Sequence, residues 1–105
     1  MDYYFCSMDL DEIFRAVGNK SRIQFLDWLK TPELFFPEQH EPFETGVCVG
    51  QIQKKSGQTI STVSVHLSLL QKAGFLTSVR KGKWIYYRRN EQRIAELADL
   101  IAQKL

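Results

Sequence analysis

Apolar residues recur at three- and four-residue steps along most of this chain, and several of these runs end at a glycine or a proline. From Met8 to Val17 the positions Leu10, Ile13, Phe14 and Val17 share one helical face, and Gly18 supplies a stop. A second helix is predicted from about Lys20 to Lys30, with Ile23, Leu26 and one side of the Phe25/Trp28/Leu29 group turned inward. Thr31-Pro32 ends it, because a residue before proline is pushed out of the helical region. Residues 32–46 hold all three prolines, four glutamates and Phe35, Phe36 and Phe43, and read as an irregular excursion docked by its aromatic residues. A short helix is expected at about Val47 to Lys55. Ser56-Gly57-Gln58 turns the chain into a longer helix at Thr59–Ala73, capped by Thr59 or Ser61, with Val63, Leu67 and Leu70 on its inner side. Gly74 stops that helix through a left-handed conformation. The alternation then shortens to period two. Phe75–Val79 and Trp84–Arg88 read as strands of a hairpin turning near Lys81-Gly82. Ile94, Leu97, Leu100, Ile101 and Leu105 give a last amphipathic helix over 91–105.

Composition adds limits. A chain of 105 residues makes one core, so residues 1–105 are expected to form one domain. Hydrophobic content of 44% and charged content of 25% suit a globular protein, and no apolar run approaches the roughly 20 residues that cross a bilayer. The first residues carry Asp2, Asp9, Asp11 and Glu12 and no basic apolar leader, so no secretory signal is expected. Two cysteines, Cys6 and Cys48, do not make a disulfide scaffold and point to the reducing cytoplasm.

Charge changes the picture more. The net value is only +2, yet residues 1–53 hold four Lys/Arg against nine Asp/Glu, and residues 54–105 hold ten against three. One half is therefore −5 and the other +7, which points to a polyanion-binding face, the alternative being a solvated basic surface with no partner. Much of that positive charge lies in and around the hairpin. The Thr59–Ala73 helix presents small hydroxyl residues away from its apolar side.

Two short helices joined by a glycine turn, followed by a basic hairpin, compose a winged helix-turn-helix. The fold class is mainly α (α+β), with about five helices and a two-stranded wing. A helix entering a major groove needs small side chains that let its backbone approach the bases. Thr59, Ser61, Thr62 and Ser64 supply hydroxyls, Ile60 and Val65 can touch thymine methyls, and His66 follows as a DNA contact or a packing group. Arg80, Lys81 and Lys83 at the hairpin tip can meet phosphates or the minor groove, flanked by Lys54, Lys55 and Arg88. No catalytic constellation or phosphate-binding glycine loop is present, so an enzyme is not expected.

The chain from Ile13 to Tyr87 resembles the ArsR/SmtB family of bacterial transcriptional repressors. The resemblance rests on Phe14-Arg15-Ala16-Val17-Gly18-Asn19-Lys20-Ser21-Arg22-Ile23, Ser61-Thr62-Val63-Ser64-Val65-His66-Leu67-Ser68-Leu69-Leu70, Ala73-Gly74-Phe75-Leu76 and Gly82-Lys83-Trp84-Ile85-Tyr86-Tyr87, in the family's order over about seven-tenths of the chain. It implies a homodimeric repressor on double-stranded DNA, with a recognition helix at about Thr59–Ala73 and a wing at Val79–Arg88. The dimer would join the helices at 8–18 and 91–105, through Leu10, Ile13, Phe14, Leu97, Leu100 and Ile101. Two recognition helices in successive major grooves, about 34–36 Å apart, imply a palindromic operator.

Many relatives hold thiophilic metals through Cys-Val-Cys at the start of the bracing helix. Here the position reads Cys48-Val49-Gly50, so the second thiolate is missing. Cys6 of a second subunit, His40 or a nearby glutamate would have to complete the three or four ligands that zinc or a soft metal requires. The last helix carries Glu91, Glu96 and Asp99 but no histidine for the family's other metal site. No metal or cofactor is therefore expected, with Cys48 and Cys6 the only candidates. Phe35, Phe36 and Phe43, with Trp28, either line an effector pocket or cover the core. The rival functions are a winged-helix protein–protein module and a repressor sensing thiols or metal through Cys48. A steep salt dependence of binding would separate a DNA reader from the docking module.

Overall fold

The computed structural model describes residues 10–105. In chain order they form α1 (Leu10–Val17), α2 (Lys20–Lys30), α3 (Pro32–Phe35), β1 (Val47–Cys48), α4 (Val49–Ser56), α5 (Ile60–Lys72), β2 (Leu76–Lys81), β3 (Trp84–Arg89) and α6 (Glu91–Lys104). Met8 and Asp9, expected to open the first helix, lie outside the described residues. Three helices start on short polar caps that answer otherwise orphaned N–H groups. Asn19 accepts from the Arg22 amide at 3.2 Å, Thr59 from the Thr62 amide at 3.2 Å and Asn90 from the Arg93 amide at 3.2 Å. Gly74, at φ 91°, ends α5 as expected, and the next amide, of Phe75, reaches back to the Leu70 carbonyl at 2.9 Å.

The core gathers one stripe from each main helix. Ile13, Phe25, Ile52, Val63, Leu67, Leu70, Leu76 and Leu97 are almost wholly enclosed. The inner face of α5 is the predicted one. That of α2 is not: Ile23 is 53% exposed, and Arg22 takes the inward place beside Phe25 and Leu29. Leu26 is half-buried.

Two further elements depart from expectation. Pro32, whose fixed φ suits a first helical turn, opens the single turn of α3, closed by the Phe36 amide on the Pro32 carbonyl at 2.8 Å. Val47–Cys48, expected as the start of a helix, is instead a third strand, giving an antiparallel sheet in the order β1-β3-β2. Val47 pairs with Tyr87 and Cys48 with Tyr86. Gly46 makes this approach possible: it has φ 113°, and a Cβ there would sit 2.8 Å from the Tyr87 carbonyl oxygen. At the other edge of β1 the Gln39 amide stands in for a neighbouring strand. It accepts from the Cys48 amide at 2.9 Å and donates to the Gly46 carbonyl at 2.8 Å.

The aromatic residues of the excursion cover the core. Phe36 is buried and meets Trp28 edge-on, with centroids 6.2 Å apart, while Phe35 and Phe43 pack half-buried around it.

Candidate nucleic-acid interface

The connection between α4 and α5 is held by side chains. Ser56 Oγ donates to the Gln53 carbonyl at 2.9 Å and accepts from the Gln58 amide at 3.1 Å. Gln53 Nε2 donates to the Gln58 carbonyl at 2.8 Å, and Gln58 Nε2 to Ser21 Oγ on α2 at 2.9 Å. The angle at which α5 leaves the body is thus set by four hydrogen bonds.

From that turn α5 projects an exposed face. Thr59, Ile60, Ser61, Thr62, Ser64 and Val65 all lie on it, so six of the seven residues expected on this helix come together. Thr59 is occupied as the cap, and its hydroxyl also donates to Thr62 Oγ1 at 3.0 Å. Ile60 and Val65 are 50% and 57% exposed, and Leu69 extends the apolar trace along the helix. Exposed aliphatic groups among small hydroxyls suit thymine methyls beside hydrogen-bonding base edges.

His66 does not join them. It is half-buried, packed edge-on against Phe25 with centroids 5.8 Å apart, and its Nδ1 lies 3.0 Å from Arg22 Nη1. A guanidinium only donates, so Nδ1 accepts and the neutral ring carries its proton on Nε2. Burial, and then the Arg22 charge, push the imidazole below its usual pKa. Of its two expected roles, packing is the one it takes.

Arg22 itself is the residue that sequence reasoning missed. Its Nε donates to the Ala16 carbonyl at 2.7 Å and its Nη2 to the Arg15 carbonyl at 2.9 Å, at the C-terminal end of α1. One buried cation therefore satisfies orphan carbonyls of α1 and holds His66 of α5. The 22-25-29 spacing, which places it on the apolar face, was the available signal.

The wing tip divides its three cations. Arg80 is exposed, and Lys83 is exposed with Nζ 5.8 Å from the Trp84 ring centre. Lys81 is joined instead to Glu41, Nζ to Oε1 at 2.8 Å, and that hydrogen bond raises its pKa. The flanking cations are also engaged. Lys55 Nζ lies over the Trp28 and Phe35 rings at 5.3 and 5.4 Å, and Arg88 donates to the Glu44 carbonyl at 2.9 Å. Lys54 is exposed.

The expected dimer residues separate into two sets. Ile13 and Leu97 are 0% and 1% exposed and Leu100 is 8% exposed, so these three belong to the subunit's own core and not to a surface that a partner could reach. Phe14 is 38% exposed, and Leu10 and Ile101 are half-buried. Periodicity marks the stripes correctly but cannot say what covers them.

Cys48 is a free, half-buried thiol, and Cys6 lies outside the described residues. Among the described residues no three His, Cys, Asp or Glu side chains converge as a metal site would need, and no helix is long and apolar enough to cross a membrane.

A projecting helix braced by a second, beside a hairpin wing, defines a winged helix-turn-helix regulator. No family model matches the chain. It is 42% identical over 100 residues to YbzH, an HTH-type transcriptional regulator of Bacillus subtilis (strain 168), covering 93% of this chain and 100% of the relative. Its fold matches the crystal structure of an ArsR family transcriptional regulator with a TM-score of 0.68, at 15% identity, over 90% of this chain and 84% of that one. A second match is the homodimeric winged helix-turn-helix DNA-binding domain of Mb0332 from Mycobacterium bovis, a possible ArsR-family regulator. There the TM-score is 0.62 at 23% identity, over 90% of this chain and 79% of that one. The chain belongs to the HTH-type transcriptional regulators, and it is a DNA-binding regulator with the winged-helix fold of the ArsR family.

Proposed function

We propose that the protein is a cytoplasmic, homodimeric repressor, one domain per subunit, which reads an imperfect palindrome in double-stranded DNA. The observation that carries this is the exposed N-terminal half of α5, lined by small and aliphatic side chains, together with the exposed Arg80 and Lys83 cations of the wing. In this reading Ser61, Thr62 and Ser64 bond to base edges or phosphates, and Ile60 and Val65 meet thymine methyls. Arg80 and Lys83 hold the backbone of the adjacent groove. Repression follows from occupying promoter DNA.

The test is salt dependence. Replacing Arg80 and Lys83 together by Ala is expected to weaken binding to every duplex. It should also flatten the plot of log affinity against log salt by roughly 0.9 for each phosphate that the wing no longer neutralises. An unchanged slope would remove the hairpin from the interface and favour a docking module.

Dimerisation has its own test. Phe14 is an aromatic side chain left on the outside of α1, and the homodimeric Mycobacterium bovis domain supports a two-fold assembly here. Phe14→Asp is expected to shift sedimentation from dimer to monomer and to reduce binding to that of a half-site, with the subunit still folded. A wild-type protein that sediments as a monomer at micromolar concentration would end the two-fold reading.

A further inference from the structure

The excursion between α3 and β1 does more than cover aromatic core. It is fastened to all three strands of the sheet. Gln39 bonds along β1, Arg88 of β3 donates to the Glu44 carbonyl at 2.9 Å, and Lys81 at the end of β2 meets the Glu41 carboxylate at 2.8 Å. Gln39 Nε2 also donates to the Glu41 carbonyl at 3.1 Å, so the backbone that carries this carboxylate is itself pinned. An exposed ion pair is ordinarily weak because two long side chains must be ordered to form it. Here the backbone of one partner is already fixed, and its side chain is the less exposed of the two, 31% for Glu41 against 57% for Lys81. Tyr86 lies nearby, and desolvation, and then Cys48 and Glu41, make its phenol harder to ionise.

We propose that Glu41 is an internal competitor for DNA: its carboxylate occupies the wing-tip lysine that a phosphate would otherwise take, and so limits the affinity of the wing. This rests on the DNA-reading role proposed for the hairpin. Carboxylate and phosphate oxygens are interchangeable acceptors for an ammonium group, and the tip of a wing is where phosphates are met. In the absence of DNA, Lys81 is held by Glu41. When DNA binds, the lysine must exchange one anion for the other, so it adds little net affinity and little counterion release. Arg80 and Lys83 carry the phosphate contacts, with Lys81 in reserve.

The consequence is opposite in sign to that of a supporting residue. Glu41→Gln is expected to tighten binding to a short duplex of mixed sequence several-fold and to steepen the salt dependence by roughly 0.9 per wing. Glu38→Gln removes the same charge from an exposed site in the same excursion. It is expected to tighten binding less and to leave the slope unchanged. In a Lys81→Ala background the Glu41→Gln effect is expected to fall to that of Glu38→Gln, as a double-mutant cycle would reveal.

If Glu41→Gln matches Glu38→Gln, or acts equally without Lys81, the competition does not exist. If Glu41→Gln weakens binding, Glu41 is a strut that holds the wing, and the proposal is likewise overturned. The Arg80 and Lys83 double substitution flattens the slope whether or not Glu41 competes, so its outcome judges the DNA-reading role separately.

Discussion

Ser61→Glu is expected to abolish DNA binding while leaving the protein as stable as before, or slightly more so. The residue occupies the first turn of α5, two positions after the Thr59 cap, and is exposed on the side opposite Val63 and Leu67. A carboxylate in the first turn of a helix interacts favourably with the helix dipole, by about 0.3–1 kcal/mol. Glutamate is also a slightly better helix former than serine. Against DNA the same carboxylate faces phosphates and acceptor-rich base edges. It replaces a short hydroxyl by a longer charged group that must lose water without gaining a partner, a penalty of several kcal/mol. Two effects of opposite sign thus follow from one substitution. Thermal melting together with gel retardation resolves them, and a stable variant that still retards DNA would move recognition to another surface.

Arg22→Met is expected to cost on the order of 3 kcal/mol of stability, because hydrogen bonds to a charged group are among the stronger ones and the abandoned acceptors are buried or part-buried. The Arg15 and Ala16 carbonyls and His66 Nδ1 would all lose their donor. The same cluster makes the wild type sensitive to acid. The folded protein holds His66 below its usual pKa, whereas the unfolded chain takes up the proton near pH 6.5, about its ordinary value. The His66 contribution is therefore intact above about pH 6.5 and is lost as pH falls through that value toward the lower, folded one. Protonated Nδ1 would also face the Arg22 guanidinium donor to donor. His66→Gln keeps an acceptor for Arg22 and removes the titration, so its stability is expected to change less than the wild type's between about pH 7 and pH 5. Parallel pH profiles for the two proteins would show that folding does not lower the His66 pKa.

Local rules made much of this legible. The Val63, Leu67, Leu70 spacing, the Thr59 cap, the Gly74 stop and the basic hairpin each act within a few residues, where propensity and periodicity apply. What escaped has a common cause. Hydrophobicity chooses Ile23 over Arg22 for the inner face of α2, because no local rule offers an arginine two carbonyls and a histidine brought in from α1 and α5. The two residues of β1 are too few to show an alternation, and their pairing with β3 depends on Gly46 and on the Gln39 side chain. Ile13 and Leu97 suggest a dimer surface because a stripe records that it is covered, not by what. Lys81 and Glu41 lie 40 positions apart, beyond the reach of any pattern along the chain.

The short pairing of β1 with β3 also bears on the shape of the DNA. β1 runs directly into α4, so the hairpin is joined to the front end of the helix–turn–helix at its base, with Gln39 closing the far edge. This joint restrains the base of the wing relative to α4. If α5 and the wing meet adjacent grooves as proposed, this joint sets their separation, and the DNA would bend to meet both. Bending is cheapest at flexible pyrimidine–purine steps and follows groove width. Base pairs that no side chain touches would then contribute to operator choice through their stiffness alone.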